Sequence, residues 1–170
     1  MDIKYVTREF YDKHMREFEE RTKNFLTDYL LEDAKLFIRN LKGKDILDLG
    51  SGSGRDSLFF KEQGLNPLCV DISPVMVELC KAKGLEAFVI DAEDLEFKDA
   101  FDGIWAYTSL LHIPKNNFLA VLDRIKDLLK TESIFYLGMK EGNFEGWIED
   151  ERYNGVKRFV SLYEDDELRD

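Results

Sequence analysis

At 170 residues, 44% apolar and 13% aromatic, the chain has the size of one domain with a substantial core, and 11 glycines with 3 prolines exclude a low-complexity or collagen-like polymer. Its 24 Lys and Arg against 35 Asp and Glu give a formal net charge of −11. That balance argues against a nucleic-acid partner, because neutralising phosphates supplies most of such affinity.

Two cysteines, Cys69 and Cys80, are too few for a disulfide framework or a zinc site, and their apolar neighbours suit buried free thiols. The charged start MDIKYVTREF has no apolar run of a signal peptide, and no stretch approaches the roughly 18–20 apolar residues of a membrane span. A cytoplasmic protein without membrane contact is expected.

In chain order, residues 1–42 carry a helical period. Phe10, His14 and Phe18 recur every fourth residue, and Leu26, Leu30, Ala34, Ile38 and Leu41 continue the stripe up to Gly43. Tyr5, Phe10, Tyr11 and Phe18 make this segment an expected lid over whatever follows. Residues 43–140 then alternate short apolar runs with helical patterns. Strands are predicted at 45–49, 67–72, 86–91, 101–107 and 133–139, with the nearly continuous apolarity of a parallel sheet buried on both faces. Helices are predicted from Gly54 to Gln63, from the cap Ser73 with Pro74 to Gly84, and along the face of Phe118, Leu119, Leu122, Ile125, Leu128 and Leu129. This is the pattern of one α/β domain, 1–170, with a doubly wound, mainly parallel sheet. Residues 141–170 are looser: 141–155 are rich in Gly and acids, KRFVSLY reads as a strand, and EDDELRD as the first turns of a helix.

The sharpest motif is DLGSGSGRDS at 48–57, on the turn from the first strand to its helix. Gly50, Gly52 and Gly54 allow a tight turn and a close backbone approach to a ligand, and the N–H groups of the following helix start favour a carboxylate or other anion. A dinucleotide fingerprint requires a third glycine where this chain has Arg55. Asp48 stands two residues before the first glycine; it would repel a pyrophosphate and suits a ligand with an amino group and a sulfonium, which is S-adenosylmethionine. Asp71, 19 residues beyond Gly52, is placed to hold ribose hydroxyls. Asp91 and the Ala92 backbone are placed to read an adenine edge. The acids Asp91, Glu93, Asp94, Glu96 and Asp99 are too irregularly spaced for a metal site and read as a solvated loop.

On ILDLGSGSGRDS, CVDIS and VIDAEDL, and more loosely FDGIWAYTSLLHIP, the chain resembles the class I S-adenosylmethionine-dependent methyltransferases from about Tyr11 to Asp170. The resemblance implies that Asp48 and the loop Gly50, Ser51, Gly52 and Gly54 hold the methionine part, Asp71 the ribose, and Ile72 the adenine face. It implies that Asp91 and Ala92 read the adenine and that Ala106 and Tyr107 face the methionine amine. FYDKHMREF is similar to the segment these enzymes fold over the cofactor, which nominates Tyr11. Arg21 and Arg55 are either partners of the methionine carboxylate or surface cations.

Methyl transfer from a sulfonium is an in-line displacement governed by positioning and desolvation. The substrate-side candidates after the fourth strand are Tyr107, Thr108, Ser109 and His112. The Asn/Asp-Pro-Pro-Tyr/Phe sequence of the adenine- and glutamine-methylating members is absent, so amide-type methylation of that kind is not expected. His112 is either a general base or a packed residue; His14 is a core or lid residue. The expected activity is methylation of an O or N nucleophile on a small molecule or protein, against a cofactor-binding remnant without turnover or an NAD-type oxidoreductase. The family's sheet usually has seven strands, so residues 141–170 read as a shortened end that leaves the fifth strand, 133–139, at an apolar edge. That edge is expected to be covered by residues 141–163, through Arg158, Phe159, Val160, Leu162 and Tyr163, or to pair in a homodimer.

Overall fold

The computed structural model describes residues 2–97 and 100–169; Asp99 of the acidic loop lies outside them. Helix α1 (Ile3–Thr22) begins at Asp2, whose carboxylate accepts the N–H groups of Lys4 at 3.0 Å and Tyr5 at 3.3 Å. It kinks at His14 (φ −105°, ψ 15°), then runs through a π-helical turn, Leu26–Leu30, into α2 (Leu31–Asn40). The core follows as β1 (Asp45–Leu49), α3 (Arg55–Glu62), β2 (Asn66–Asp71), α4 (Pro74–Ala82), β3 (Glu86–Val89), β4 (Phe101–Tyr107), α5 (Lys115–Asp127) and β5 (Leu129–Gly138). Ser73 caps α4 as its sequence implies, its hydroxyl accepting the Met76 N–H at 3.1 Å.

These five strands form one parallel sheet in the order β3-β2-β1-β4-β5. Alternation along each strand divides the core between two faces. Leu47, Leu49, Ile104 and Ala106 pack with Phe118, Val121 and Ile125 of α5. Ile46 and Trp105 pack on the other side with Phe37 of α2 and Phe60 of α3. Gly103 is required there: a Cβ would stand 2.5 Å from Leu41 Cδ2 and 2.7 Å from Phe37 Cζ. Both cysteines are free and buried.

The C-terminal part departs from expectation. Within the loose stretch lies an additional strand, β6 (Glu145–Asp150), which pairs antiparallel with β7 (Val156–Ser161) as a separate hairpin. The acids and Gly146 of β6 hid it, because the hairpin is half-exposed and lacks an apolar run. Among the described residues of EDDELRD, 164–169, the only helical element is a 3₁₀ turn, Asp166–Leu168. Residues 141–163 do fold back, but not along the edge of β5, which remains the last strand of its sheet. Arg158, Phe159 and Val160 are buried against α1 and the 3₁₀ turn Leu110–His112 that follows β4. Ser161 Oγ donates to Ile113 O at 2.7 Å. Buried polar partners at the end of β4 offered this segment more than an open edge did. Among the described residues no helix is long and apolar enough to cross a membrane.

Phe60 is fully buried, with Phe37 at 5.5 Å and Trp105 at 5.1 Å between ring centroids. Phe60→Ala is expected to cost about 3–5 kcal/mol in urea unfolding by leaving a cavity between α2, α3 and the sheet.

Candidate active site

At the carboxyl end of β1 the backbone turns through Gly50 (φ +73°) and Gly52 (φ +53°). A Cβ on Gly50 would stand 2.1 Å from the Cβ of Ser109, whose hydroxyl donates to Leu49 O at 2.6 Å. Glycine is therefore demanded by the close approach of the β1 and β4 loops. Gly50 and Ser51 donate N–H groups to Val70 O at 2.8 and 3.0 Å.

Asp71 ties this loop to the next. One carboxylate oxygen accepts the Gly52 N–H at 2.9 Å and the other the Ser73 N–H at 2.8 Å. Burial still pushes its pKa up to about 6 against those bonds. Asp48 is 3% exposed and accepts the Ser57 hydroxyl at 2.7 Å. Burial, with the charge of Asp56 beside it, pushes its pKa up to about 7. Asp56 accepts the Trp105 indole N–H at 3.0 Å and the Arg55 Nε–H at 2.5 Å.

Helix α1 lies over the same ends of the strands. Lys4 Nζ pairs with Asp91 at 2.8 Å and Glu93 at 2.6 Å. Ser73 Oγ donates to Asp12 at 2.6 Å, and Arg55 donates to Thr22 O at 3.1 Å. Tyr11 Oη meets His112 Nε2 at 2.9 Å, and His112 Nδ1 meets Phe159 O at 2.7 Å. A carbonyl only accepts, so Nδ1 carries the proton and the Nε2 lone pair accepts the tyrosine O–H. Burial lowers the His112 pKa to about 4, which keeps the ring neutral, and pushes Tyr11 up to about 12. His14 packs on Phe10 and Tyr153 with ring centroids 5.1 and 5.5 Å apart, so it belongs to the cover.

Between α1, the strand ends and the hairpin lies a cavity of about 460 Å³. Of the residues nominated by sequence, Tyr11, Arg21, Asp48, Gly50, Ser51, Gly52, Arg55, Asp71, Ile72, Asp91, Ala92, Tyr107 and His112 line it. Two do not. Ala106 is fully buried on the α5 side of the sheet. Gly54 starts α3 with φ +79° and packs toward Leu85 and Cys80, a structural rather than a lining position. Arg21 is engaged by Glu17 at 3.1 Å and Arg55 by Asp56 at 2.5 Å. Four cationic lining residues were not nominated as ligands: Lys4, Lys140, Arg152 and Arg158. No local motif marks them; only the docking of α1 and the hairpin brings them in.

A family model described as a methyltransferase domain matches residues 46–132, about half of the chain and all of the strand ends just described. The chain belongs to this family. Over 81 residues it is 36% identical to a tRNA (carboxymethyluridine(34)-5-O)-methyltransferase of Arabidopsis thaliana, a match that covers 45% of this chain but only 19% of that protein. Among solved structures, a DhpI–SAM–HEP complex superposes with a TM-score of 0.78 at 18% identity, covering 98% of this chain and 85% of that one. The Burkholderia thailandensis 1,6-didemethyltoxoflavin-N1-methyltransferase with bound 1,6-didemethyltoxoflavin and S-adenosylhomocysteine superposes with a TM-score of 0.70 at 20% identity, covering 96% and 73%. At these identities the structural likenesses establish the Rossmann-like class I fold.

The family's methyl donor is S-adenosylmethionine, and the residues present fit it. Gly52 has no side chain to enter the cavity, where a Cβ would point toward Phe18 of α1, and the buried carboxylates of Asp48 and Asp71 border the same space.

Asp48 supplies a pH signature. Its folded pKa of about 7 lies above the ordinary aspartate value of 3.8, so its contribution to stability is complete below pH 4 and is lost as the pH rises through 7. The stability of Asp48→Asn relative to the parent is therefore expected to increase between pH 4 and 8, followed by urea unfolding across that range.

Proposed function

We propose that this methyltransferase-family chain transfers the methyl group of S-adenosylmethionine to an O or N nucleophile of a small molecule. The cavity carries the reading: it joins the glycine turn to the Tyr11–His112 pair, and its volume of about 460 Å³ falls in the roughly 300–1,000 Å³ range of small-molecule sites. The cover formed by α1 and the hairpin favours a small acceptor over a folded protein surface. The relative from Arabidopsis thaliana is named for a tRNA acceptor, but the match involves 19% of that protein and this chain's net charge of −11 disfavours a polyanion.

In this reading the glycine turn borders the methionine part, with the carboxylate of Asp48 toward its amine and Arg55 toward its carboxylate. Asp71 accepts the ribose hydroxyls with lone pairs left over from Gly52 and Ser73, and Ile72, Asp91 and Ala92 border the adenine. Tyr107 closes the methionine end. S-adenosylmethionine, when bound, supplies an electrophilic methyl on a positive sulfur.

The chain's own residues align the acceptor and exclude water. Where the nucleophile carries a proton, Tyr11 Oη is the group to receive it, passing its own to His112 Nε2 along the 2.9 Å contact. The Phe159 carbonyl holds the ring in the tautomer that permits this. His112 then acts as a base through Tyr11 rather than directly on the acceptor.

Transfer of label from methyl-labelled S-adenosylmethionine to a small-molecule extract tests the activity; labelling only of macromolecules, or none, overturns it. Asp71→Ala is expected to weaken S-adenosylmethionine binding by about 1–3 kcal/mol in calorimetric titration, the cost of losing charged hydrogen bonds. Tyr11→Phe is expected to lower kcat by about 100-fold while leaving S-adenosylhomocysteine affinity nearly unchanged, as removal of a proton-transfer group does.

A further inference from the structure

The cavity is not uniformly acidic. At its hairpin end stand three cations, Lys140 just after β5, Arg152 in the hairpin turn and Arg158 on β7. Only one carboxylate faces them closely. Asp150 accepts Arg152 through Nε at 2.8 Å and Nη2 at 2.7 Å, and also accepts Arg158 Nη2. These contacts hold the Asp150 pKa down at about 2, so the group is a fixed anion.

One negative charge against three positive leaves an excess. Lys140, at the exposed rim, forms no ion pair among the described residues. Arg158 is 6% exposed, with its guanidinium carbon 4.7 Å from the Phe10 ring centroid, and its Nε–H has no partner. That Nε is closed off from the cavity, but the residue lines it beside the pair to Asp150, and cations in excess of their carboxylate in a buried place favour an anionic ligand. A planar or tetrahedral oxyanion suits the fork of donors.

The position says which ligand brings that anion. Arg158 immediately precedes Phe159, whose carbonyl takes the His112 Nδ1–H, and stacks on Phe10, the chain neighbour of Tyr11, so the cluster lies beside the Tyr11–His112 pair and not at the glycine turn. The glycine-turn end of the cavity has its own cation, Arg55 at the start of α3, for the methionine carboxylate of the cofactor. A bound sulfonium adds further positive charge to the cavity, which strengthens the demand for a counter-anion on the acceptor.

Resting on the proposed methyl transfer, we infer that the acceptor is a small oxyanion-bearing molecule whose carboxylate, phosphate or phosphonate group is seated by Lys140, Arg152 and Arg158. The nucleophile that receives the methyl then lies near Tyr11 Oη, and the three cations set the acceptor's orientation.

The test separates acceptor recognition from cofactor binding. Inorganic phosphate and acetate are titrated calorimetrically, at constant ionic strength, into the parent protein with and without saturating S-adenosylhomocysteine. The same titrations are made with Lys140→Gln, at the exposed rim, and with Arg152→Gln, whose fold is checked by urea unfolding because it removes two hydrogen bonds of the buried Asp150. Binding of either oxyanion to the parent is expected, weakened about tenfold in each variant, with S-adenosylhomocysteine affinity unchanged. Tighter phosphate than acetate marks a phosphate or phosphonate acceptor, and the reverse a carboxylate. No oxyanion binding at about 10 mM, or binding equal in parent and variants, overturns the inference. A loss of S-adenosylhomocysteine affinity in Lys140→Gln overturns it too, by assigning the cluster to the cofactor's carboxylate. If the parent fails to bind S-adenosylhomocysteine, the methyltransferase reading fails while the phosphate and acetate titrations still decide the anion site.

Discussion

A single neutral imidazole joins three stretches of chain that are remote in sequence. His112, on the turn after β4, receives the Tyr11 hydroxyl from α1 at one nitrogen and donates to the Phe159 carbonyl of β7 at the other. Either nitrogen left unpaired in this buried place would cost about 1–3 kcal/mol, so the ring demands both neighbours at once. That demand sets the cover of the cavity: α1 crosses the carboxyl ends of the strands, and the β6–β7 hairpin comes over them rather than extending the sheet. Burial first, and then the positive charges of Arg158 and Lys140, keep the ring's pKa low.

The charge distribution follows the same division. The strand-end side carries Asp48 and Asp71, buried carboxylates held above their usual pKa range. The hairpin side carries Arg152, Arg158 and Lys140 around the lone Asp150. Lys4 completes a third contact by reaching from α1 to Asp91 and Glu93, so the cover is also latched at the β3 end. A chain with a net charge of −11 thus holds a positive corner within its cavity. Net charge constrains long-range attraction to polyanions; it does not describe a pocket a few residues wide.

The parallel core was legible because its determinants are local. Five apolar runs with capped helices between them appear as β1–β5, with Phe101–Tyr107 at the limits its apolar pattern sets and Ser73-Pro74 opening α4. The glycine turn was legible for the same reason: Gly50 and Gly52 adopt positive φ where an L side chain is strained, and the acid at Asp48 stands at a fixed distance before them. By contrast β6 was hidden, since Glu145, Gly146, Glu149 and Asp150 break the apolar pattern of a strand that is half-exposed. Ala106 was misplaced by one step of alternation, because neighbouring positions on β4 face opposite sides: Tyr107 reaches the cavity and Ala106 the core.

The sequence by itself determined the class of the molecule: a parallel α/β domain with a glycine turn after its first strand, since backbone conformation and strand periodicity are short-range properties. The tertiary structure alone decided the other half of the site. Lys140, Arg152 and Arg158 carry no motif, and Tyr11, nominated by resemblance, meets His112 only when α1 docks. No spacing encodes that meeting. It is the satisfaction of buried hydrogen bonds and charges, a property of the packed whole, that chooses it.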